Sequence, residues 1–381
     1  MKKILFRKLL LDYLSFLLIA LISTAVVIWV FQAVNFLDIM IEDGRDYAVY
    51  INFSLLNFPK IVSKIFPFVI FFSLFYVTTK YEIKNELMIF WNFGVHKMQI
   101  INFILKISII LLLIQMILTC LIVPKSQDLA RSFLRSSTVN FFDNFIKPQK
   151  FNDTIKGVTI YSDKKDLDGN LKNLYLKKEI KDNEFQITYA KKGTFKKIGN
   201  TPILVLYDGA TITSKNDEIT NISFSKSDFA LTNLETNTTT YKKTQEISSF
   251  KLVKCIKDFY KLKENQFNLI AKSIENCSVQ NIKNIFKEFY KRFVIPFYIP
   301  ILTLIPFLLI TTSKENSKYQ NLRLFTFSVG LIIIIFSETT IRLISDTLLH
   351  NLSLIMIPAI LFIFFYAFLF YKFKINVKGL I

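Results

Sequence analysis

The residue types that most often carry bond-breaking chemistry are sparse in this chain. Among 381 residues there are two histidines, His96 and His350, three cysteines, Cys120, Cys255 and Cys277, and nine glycines. No glycine falls in a GxxxxGK[ST] pattern, so the chain lacks the loop whose backbone amides cradle nucleotide phosphates. What remains are charged residues at helical spacing: Lys60 with Lys64, Glu82 with Glu86, and Glu338 with Arg342. Partners at i and i+4 share one face of a helix. Two cations on one face suit a phosphate, carboxylates on one face suit a basic groove, and a Glu–Arg pair lowers the cost of placing both in an apolar medium. These are tools for binding and coupling. No catalytic residue, metal-ligand set or cofactor is expected.

The elements that must position them follow from composition. Hydrophobic residues make up 52% of the chain and charged residues 20%, with 40 Phe and a mean hydropathy of +0.38. Soluble domains average about 45–50% apolar and about 25% charged. The chain therefore reads as a membrane protein with a soluble part. Its net charge of +19 is spread among Ile, Phe and Asn without a dense Lys/Arg run, so a solvated basic surface is expected and nucleic acid is not a partner.

A helix that crosses a bilayer needs about 20 mostly apolar residues. Six segments qualify, at 10–36, 60–79, 99–123, 293–312, 322–344 and 351–371. The N-terminal run continues through Val26, Ile28, Trp29 and Phe31, beyond the about 7–15 apolar residues of a cleaved signal, and reads as a retained span. Basic residues of short loops stay in the cytoplasm. Lys2, Lys3, Arg7 and Lys8 precede span 1, whereas Asp38, Glu42, Asp43 and Asp46 follow it. Lys80, Lys84 and Lys97, then Lys314, Lys318 and Arg323, then Lys372, Lys374 and Lys378 complete a pattern with both termini cytoplasmic. Residues 125–292 then lie on the outer side, and His96 and His350 fall on opposite sides, which excludes a shared metal or a relay.

That outer region changes period. GVTIYS (157–162), KNLYLKK (172–178), FQITYAKKG (185–193), PILVLYDG (202–209), ATITSK (210–215) and NISFSKSDFAL (221–231) are β-branched or aromatic runs broken by Asp, Asn, Gly and Lys. About eight short strands are expected, in a β-sandwich or jelly roll. Helical stretches near 249–262 and 278–292 lead back to the membrane. The fold class is thus an α-helical membrane protein with six transmembrane helices and an extracytoplasmic β-jellyroll inserted between helices 3 and 4. Its domains are 1–124, with a cytoplasmic helix at 81–93; 125–292, with the jellyroll at about 150–245; and 293–381.

The charged pairs can now be placed. Lys60 and Lys64 sit at the outer end of span 2, as ligands of lipid phosphates or as snorkelling interface anchors. Glu338 and Arg342 lie in the outer part of span 5, as a structural or a substrate-facing pair; Lys106 reads as a snorkelling lysine. Cys255 and Cys277 fall on the oxidising side, where a disulfide is permitted. The stretch KYEIKNELMIFWNFGVHKMQ (80–99), between spans 2 and 3, makes a short helix with Ile83, Leu87 and Phe90 on one side and Glu82, Asn85 and Glu86 on another. Gly94 is its natural stop. Such a helix either meets a basic groove on a soluble partner or simply solvates its charges.

The chain resembles the lipopolysaccharide-export permease family, LptF/LptG, over nearly its full length. NELMIFWNFGVHKMQI (85–100) is similar to that family's coupling helix, SELxxMRAAGxS, with Glu86, Leu87 and Gly94 on matching positions. Asn85 replaces the usual Ser, and Phe90, Trp91, Asn92 and Phe93 replace the usual Met-Arg-Ala-Ala. IVPKSQDLA (122–130), KFNDTIKGVTIYSDKKDLDGNLKNLYL (150–176) and EFYKRFVIPFYIPILTLIP (288–306) add to the likeness. WVFQAVNFLDIMIEDG (29–44) and RFVIPF (292–297) are closer to the LptF half of the family than to LptG.

The resemblance implies an ABC-type export complex in the inner membrane of a Gram-negative bacterium. In it an LptF-like chain pairs with a second permease, LptG, above an ATPase dimer, LptB, which hydrolyses ATP and drives the coupling helices through Glu82, Glu86, Leu87 and Gly94. Lipopolysaccharide is lifted from the membrane to the jellyrolls and on to LptC and LptA. It also implies a lateral gate between spans 1 and 5, where span 1 offers Phe31 and Gln32 and span 5 offers Thr340 and Arg342; Lys60 and Lys64 are lipid-contact candidates by their own spacing and not by the resemblance. The alternative is a membrane-anchored scaffold whose outer β domain binds a partner without moving lipid.

Overall fold

The computed structural model of the chain describes residues 2–37, 47–136, 148–155, 158–166, 170–181, 184–198, 201–215, 218–230, 242–261, 276–312, 314–345 and 347–378. The acidic loop with Asp38, Glu42, Asp43 and Asp46 lies outside them. Two compact units result, one formed by Met1–Val30, Asn57–Asp128 and Tyr241–Ile381, the other by Phe31–Leu56 and Leu129–Thr240.

Among the described residues six stretches are long and apolar enough to cross a membrane: Lys2–Asn35, Tyr47–Ile83, Lys97–Leu134, Val279–Thr311, Tyr319–Leu343 and Leu349–Phe373. They are spans 1 to 6 and fall on the six segments expected. Spans 1 and 2 are single helices, α1 (Lys2–Asn35) and α2 (Tyr47–Ile83). A seven-residue helix, α3 (Glu86–Asn92), separates span 2 from span 3. The turn falls at Lys84 and Asn85, where Asn85 takes a left-handed φ of 57°, so the short helix begins later than expected and Tyr81–Ile83 finish span 2.

Prolines shape spans 3 and 4. Span 3 runs from α4 (Lys97–Ile117) through a wide π turn (Leu118–Ile122) into α5 (Val123–Ser136). Pro124 has no N–H to give the carbonyl four residues back, so the helix opens just before it. The chain returns through α6 (Ser249–Lys261) and α7 (Ile282–Phe293). Span 4 then alternates between 3₁₀ turns at Ile295–Phe297 and Ile305–Thr311 and the short α8 (Tyr298–Leu304), a pattern set by Pro296, Pro300 and Pro306. Span 5 is α9 (Tyr319–Thr339), tightening to 3₁₀ at Thr340–Leu343, and span 6 lies in α10 (Leu348–Lys378).

Burial separates these spans. The apolar window of span 4 is 83% buried, against 11% for span 1, 17% for span 6 and 28% for span 5. Span 4 is the hub of a core that includes Tyr13, Phe71, Leu74, Tyr81, Ile104, Tyr298 and Leu302. Gly330 of α9 faces the ring of Phe71, and an added Cβ would overlap that ring, so glycine sets how closely spans 2 and 5 pack.

In the other unit, six strands form one antiparallel sheet in sequential order: β1 (Asn152–Ile155), β2 (Val158–Lys165), β3 (Leu171–Lys181), β4 (Glu184–Ile198), β5 (Thr201–Lys215) and β6 (Glu218–Ala230). The inserted β domain is present, with fewer and longer strands among the described residues than the eight short ones expected. The runs 202–209 and 210–215 are one strand. Asp208–Gly209, which reads as a hairpin signal, is instead a kink within β5, with Asp208 at φ 50° and ladder partners on both sides. Gly209 lies against the Tyr189 carbonyl and the Phe224 ring, where a side chain has no room. One face of the sheet is apolar, with Val158, Ile160, Leu174, Leu176, Leu204 and Leu206 buried and Phe224 and Phe229 packed on them.

Candidate functional site

α3 is built from the inside of the helical unit. Leu87 and Phe90 are 7% and 2% exposed and join the main core beside Tyr81 and Val95. The helix ends in a Schellman motif: Val95 N–H donates to Phe90 O at 2.9 Å and Gly94 N–H to Trp91 O at 2.9 Å, with Gly94 at φ 68°. Gly94 is therefore the stop the sequence suggested, since most side chains are strained at that φ. The apolar contact that accompanies such motifs is Phe90 with Val95, both buried.

Side chains then tie α3 and its flanks to three other elements. Glu86 pairs with Lys8 of α1 at 3.3 Å, and Lys2 donates to the Gly94 carbonyl at 2.9 Å. Tyr81 donates to Asp12 at 2.5 Å. Glu82 accepts from Tyr319, the first residue of α9, at 2.6 Å, and Lys314 reaches the Ile83 carbonyl at 3.4 Å. Lys97 donates to the Ile310 carbonyl at 2.8 Å, at the end of span 4. The carboxylates expected to project freely are thus engaged within the chain. The outward surface is carried instead by Met88, Ile89, Asn92 and Phe93, all exposed. A cleft of about 230 Å³ lined by Glu82, Leu87, Met88, Trp91, Lys97 and Lys314 opens beside it.

At the opposite end of the helical unit, Lys60 and Lys64 part company. Lys60 donates to Gln127 at 3.3 Å and Gln245 at 3.2 Å, while Gln127 donates to Asn57 at 2.8 Å. Lys64 is exposed. Both border a cavity of about 50 Å³ shared with Gln115, Glu288, Arg292 and Glu338. That is room for one or two waters, too little for a lipid headgroup.

The proposed gate residues also differ. Phe31 is 71% exposed, Gln32 is half-buried and Arg342 is exposed. Thr340 is fully buried, its hydroxyl given to Ser337 O at 2.7 Å, so it lines no surface; Phe336, Thr339 and Leu343 are exposed there instead. Among the described residues no ion pair joins Glu338 to Arg342. The 3₁₀ turn from Thr340 brings i and i+3 into line, which removes the i, i+4 alignment on which that pairing depended.

Arg292 had no role in the sequence reading beyond its place in RFVIPF. It is 2% exposed, and its guanidinium makes four hydrogen bonds: Nε to Glu288 at 3.1 Å, Nη1 to the Ile247 carbonyl at 2.8 Å and Ser249 Oγ at 3.0 Å, and Nη2 to the Gln245 carbonyl at 2.9 Å. Two prolines complete the arrangement. Pro296 leaves the Arg292 carbonyl without a helical donor, and Thr119 Oγ1 supplies one at 3.0 Å. Pro124 does the same to the Cys120 carbonyl, and Ser249 Oγ supplies one at 2.6 Å. The signal open to a sequence reader was a basic residue directly before a proline-rich span.

A bundle with one buried central span, a short cross-tied helix between spans 2 and 3, and an antiparallel sheet inserted after span 3 is the setting for the comparison with known proteins. Residues 7–372 match the family described as lipopolysaccharide export system permease LptF/LptG. The chain belongs to the LptF/LptG family. An uncharacterized protein of Rickettsia prowazekii (strain Madrid E), RP871, is 24% identical over 313 residues, covering 80% of this chain and 82% of its own length. As an LptF/LptG permease the chain is a multi-pass inner-membrane protein of lipopolysaccharide export, a transport subunit rather than a catalytic one.

Proposed function

We propose that this chain is the LptF-like permease of an ABC-type export complex in a Gram-negative inner membrane, with both termini cytoplasmic. It pairs with a second permease, LptG. An LptB ATPase dimer docks beneath α3 and hydrolyses ATP, and lipopolysaccharide passes to LptC and LptA through the β-jellyrolls. The observation that carries this reading is α3 itself, rooted in the core through Leu87 and Phe90 and tied by Glu82 to the first residue of span 5. A push on the exposed Met88, Ile89 and Asn92 reaches spans 1, 4 and 5 without a flexible link between.

Glu86 is held by Lys8 in the isolated chain, in a pair whose side chains are 59% and 22% exposed for Lys8 and Glu86 respectively. Such pairs contribute under about 1 kcal/mol, so an ATPase arginine can take the carboxylate over at small cost. Lipid contact is assigned to Phe31 and Gln32 of span 1, Lys64 of span 2 and Arg342 of span 5; Lys60, tied to Gln127 and Gln245, is a strut. At the edge of the sheet, β6, whose Ile219 and Ile222 are 75% and 63% exposed, offers a strand for β-augmentation.

Glu86→Arg tests the docking step. A hydrogen bond to a charged group contributes about 1.5–3 kcal/mol, so co-purification with the ATPase and lipopolysaccharide-stimulated ATP hydrolysis should fall about tenfold or more. Wild-type values for both would sink the coupling role of Glu86.

A further inference from the structure

Lipopolysaccharide transport leaves α6 without a task. One face of this helix is buried: Leu252 and Cys255, with Ile256 and Phe259, pack on Ile282, Ile285 and Phe286 of α7, and a Cys255–Cys277 disulfide staples the pair. At 3.6 residues per turn the opposite face carries Phe250, Lys254 and Lys257 in one line, with Val253 and Tyr260 on one flank and Lys251 on the other. Phe250 is 91% exposed, Val253 43% and Tyr260 39%, and all three of these lysines are exposed. Along its length α6 has Lys251, Lys254, Lys257 and Lys261 against one acid, Asp258.

Its depth is set by a hydrogen bond. Ser249 Oγ reaches the Cys120 carbonyl at 2.6 Å, inside span 3, and the next residues of that span, Leu121 and Ile122, are apolar and 56% and 42% exposed. The first turn of α6 is therefore pinned beside the end of the apolar run of span 3, just before Pro124 and Lys125. A groove of about 360 Å³ runs between the two segments, lined by Leu121 and Phe250 and by the cations Lys125, Lys242 and Lys251 with the acids Asp128 and Glu246; Lys242 is paired with Asp128 at 3.2 Å. An exposed aromatic residue thus stands beside the last apolar residues of span 3, with exposed lysines next to it.

We propose that α6 is an interfacial anchor for an anionic lipid surface, in which Phe250 and Val253 enter the acyl boundary while Lys125, Lys254 and Lys257 hold lipid phosphates. A basic amphipathic helix with an aromatic residue at its lipid-facing end has the composition of such anchors, and anionic headgroups complement its charge. The anchor requires only that the six spans cross a membrane and does not depend on what the permease exports.

The test uses the full chain in nanodiscs, carrying Cys120→Ser so that only the bonded cysteines remain. Nitroxide labels are placed through Phe250→Cys, Lys251→Cys or Val253→Cys, one at a time. In discs of phosphatidylcholine with phosphatidylglycerol, labels at 250 and 253 should meet oxygen far more readily than a water-soluble nickel chelate, with the reverse at 251. Replacing phosphatidylglycerol by phosphatidylcholine should loosen the label at 250, and Lys254→Gln with Lys257→Gln should erase the difference between the two lipids. Nickel access at 250 equal to that at 251 would place the helix in water. Low access to both reagents at 250 would mean a protein contact, and indifference to phosphatidylglycerol would remove the phosphate ligands. Each of these results overturns the proposal.

Discussion

The two ends of the helical unit are held together in opposite ways. Where the chain leaves for the inserted sheet and returns, one buried guanidinium gathers Gln245, Ile247, Ser249 and Glu288, and a disulfide closes the helices beside it. Around α3, separate side-chain ties run to α1, to span 4 and to span 5, two of them exposed and three part-buried, with no shared centre. A buried charge with four hydrogen bonds is costly to disturb, because each lost partner leaves a desolvated group behind. Exposed ties exchange with water or with another protein at little cost. The contrast fits a fixed base at one end and a part that trades partners at the other.

Arg292→Ala should break this contrast most directly. It strands Glu288 and three acceptors, and a loss of about 3–5 kcal/mol is expected. The readout is the thermal midpoint of the detergent-solubilised chain, with Arg292→Lys falling between. A wild-type midpoint would show that this end has no hub. Next in size is the combined Cys255→Ser and Cys277→Ser change. The bond closes a loop with a sequence separation of 22, for which about 3 kcal/mol of stabilisation is expected. Reductant should lower the wild-type midpoint to that of the double variant and leave the variant itself unmoved.

Lys8→Ala sharpens the other side. Removing an exposed partner should cost under about 1 kcal/mol, leaving the midpoint of the isolated chain near wild type. If instead it destabilises as strongly as Arg292→Ala, the ties around α3 are a second hub and the proposed exchange of Glu86 between Lys8 and an ATPase arginine fails.

Much of this was legible in the sequence where the cause is local. The six spans were set by runs of apolar residues, and the stop at Gly94 by the one residue type that accepts φ 68° without strain. Misreadings arose where one signal has two structural uses. Asp-Gly marks a tight turn when strands end there and a kink when neighbours on both sides keep the ladder paired, as β4 and β6 do around Asp208 and Gly209. Glu338 and Arg342 have i, i+4 spacing, yet the helix tightens between them. Cys255 and Cys277 could only be called compatible with a disulfide, because the pairing depends on how α6 packs on α7.

The sequence by itself determined which segments are long and apolar enough to cross a membrane, where the β insertion falls and that no GxxxxGK[ST] loop is present, since hydropathy, period and motif are properties of neighbours along the chain. Only the tertiary structure decided that span 4 is central while span 1 is almost bare, that Lys60 is tied inward while Lys64 stands exposed, and that Thr340 is buried. It also decided that Glu82 and Glu86 answer to Tyr319 and Lys8. The physical reason is one of range: a backbone preference is set within a few residues, whereas the partner of a charge or a freed carbonyl is chosen by whatever distant side chain packing brings within about 3 Å of it.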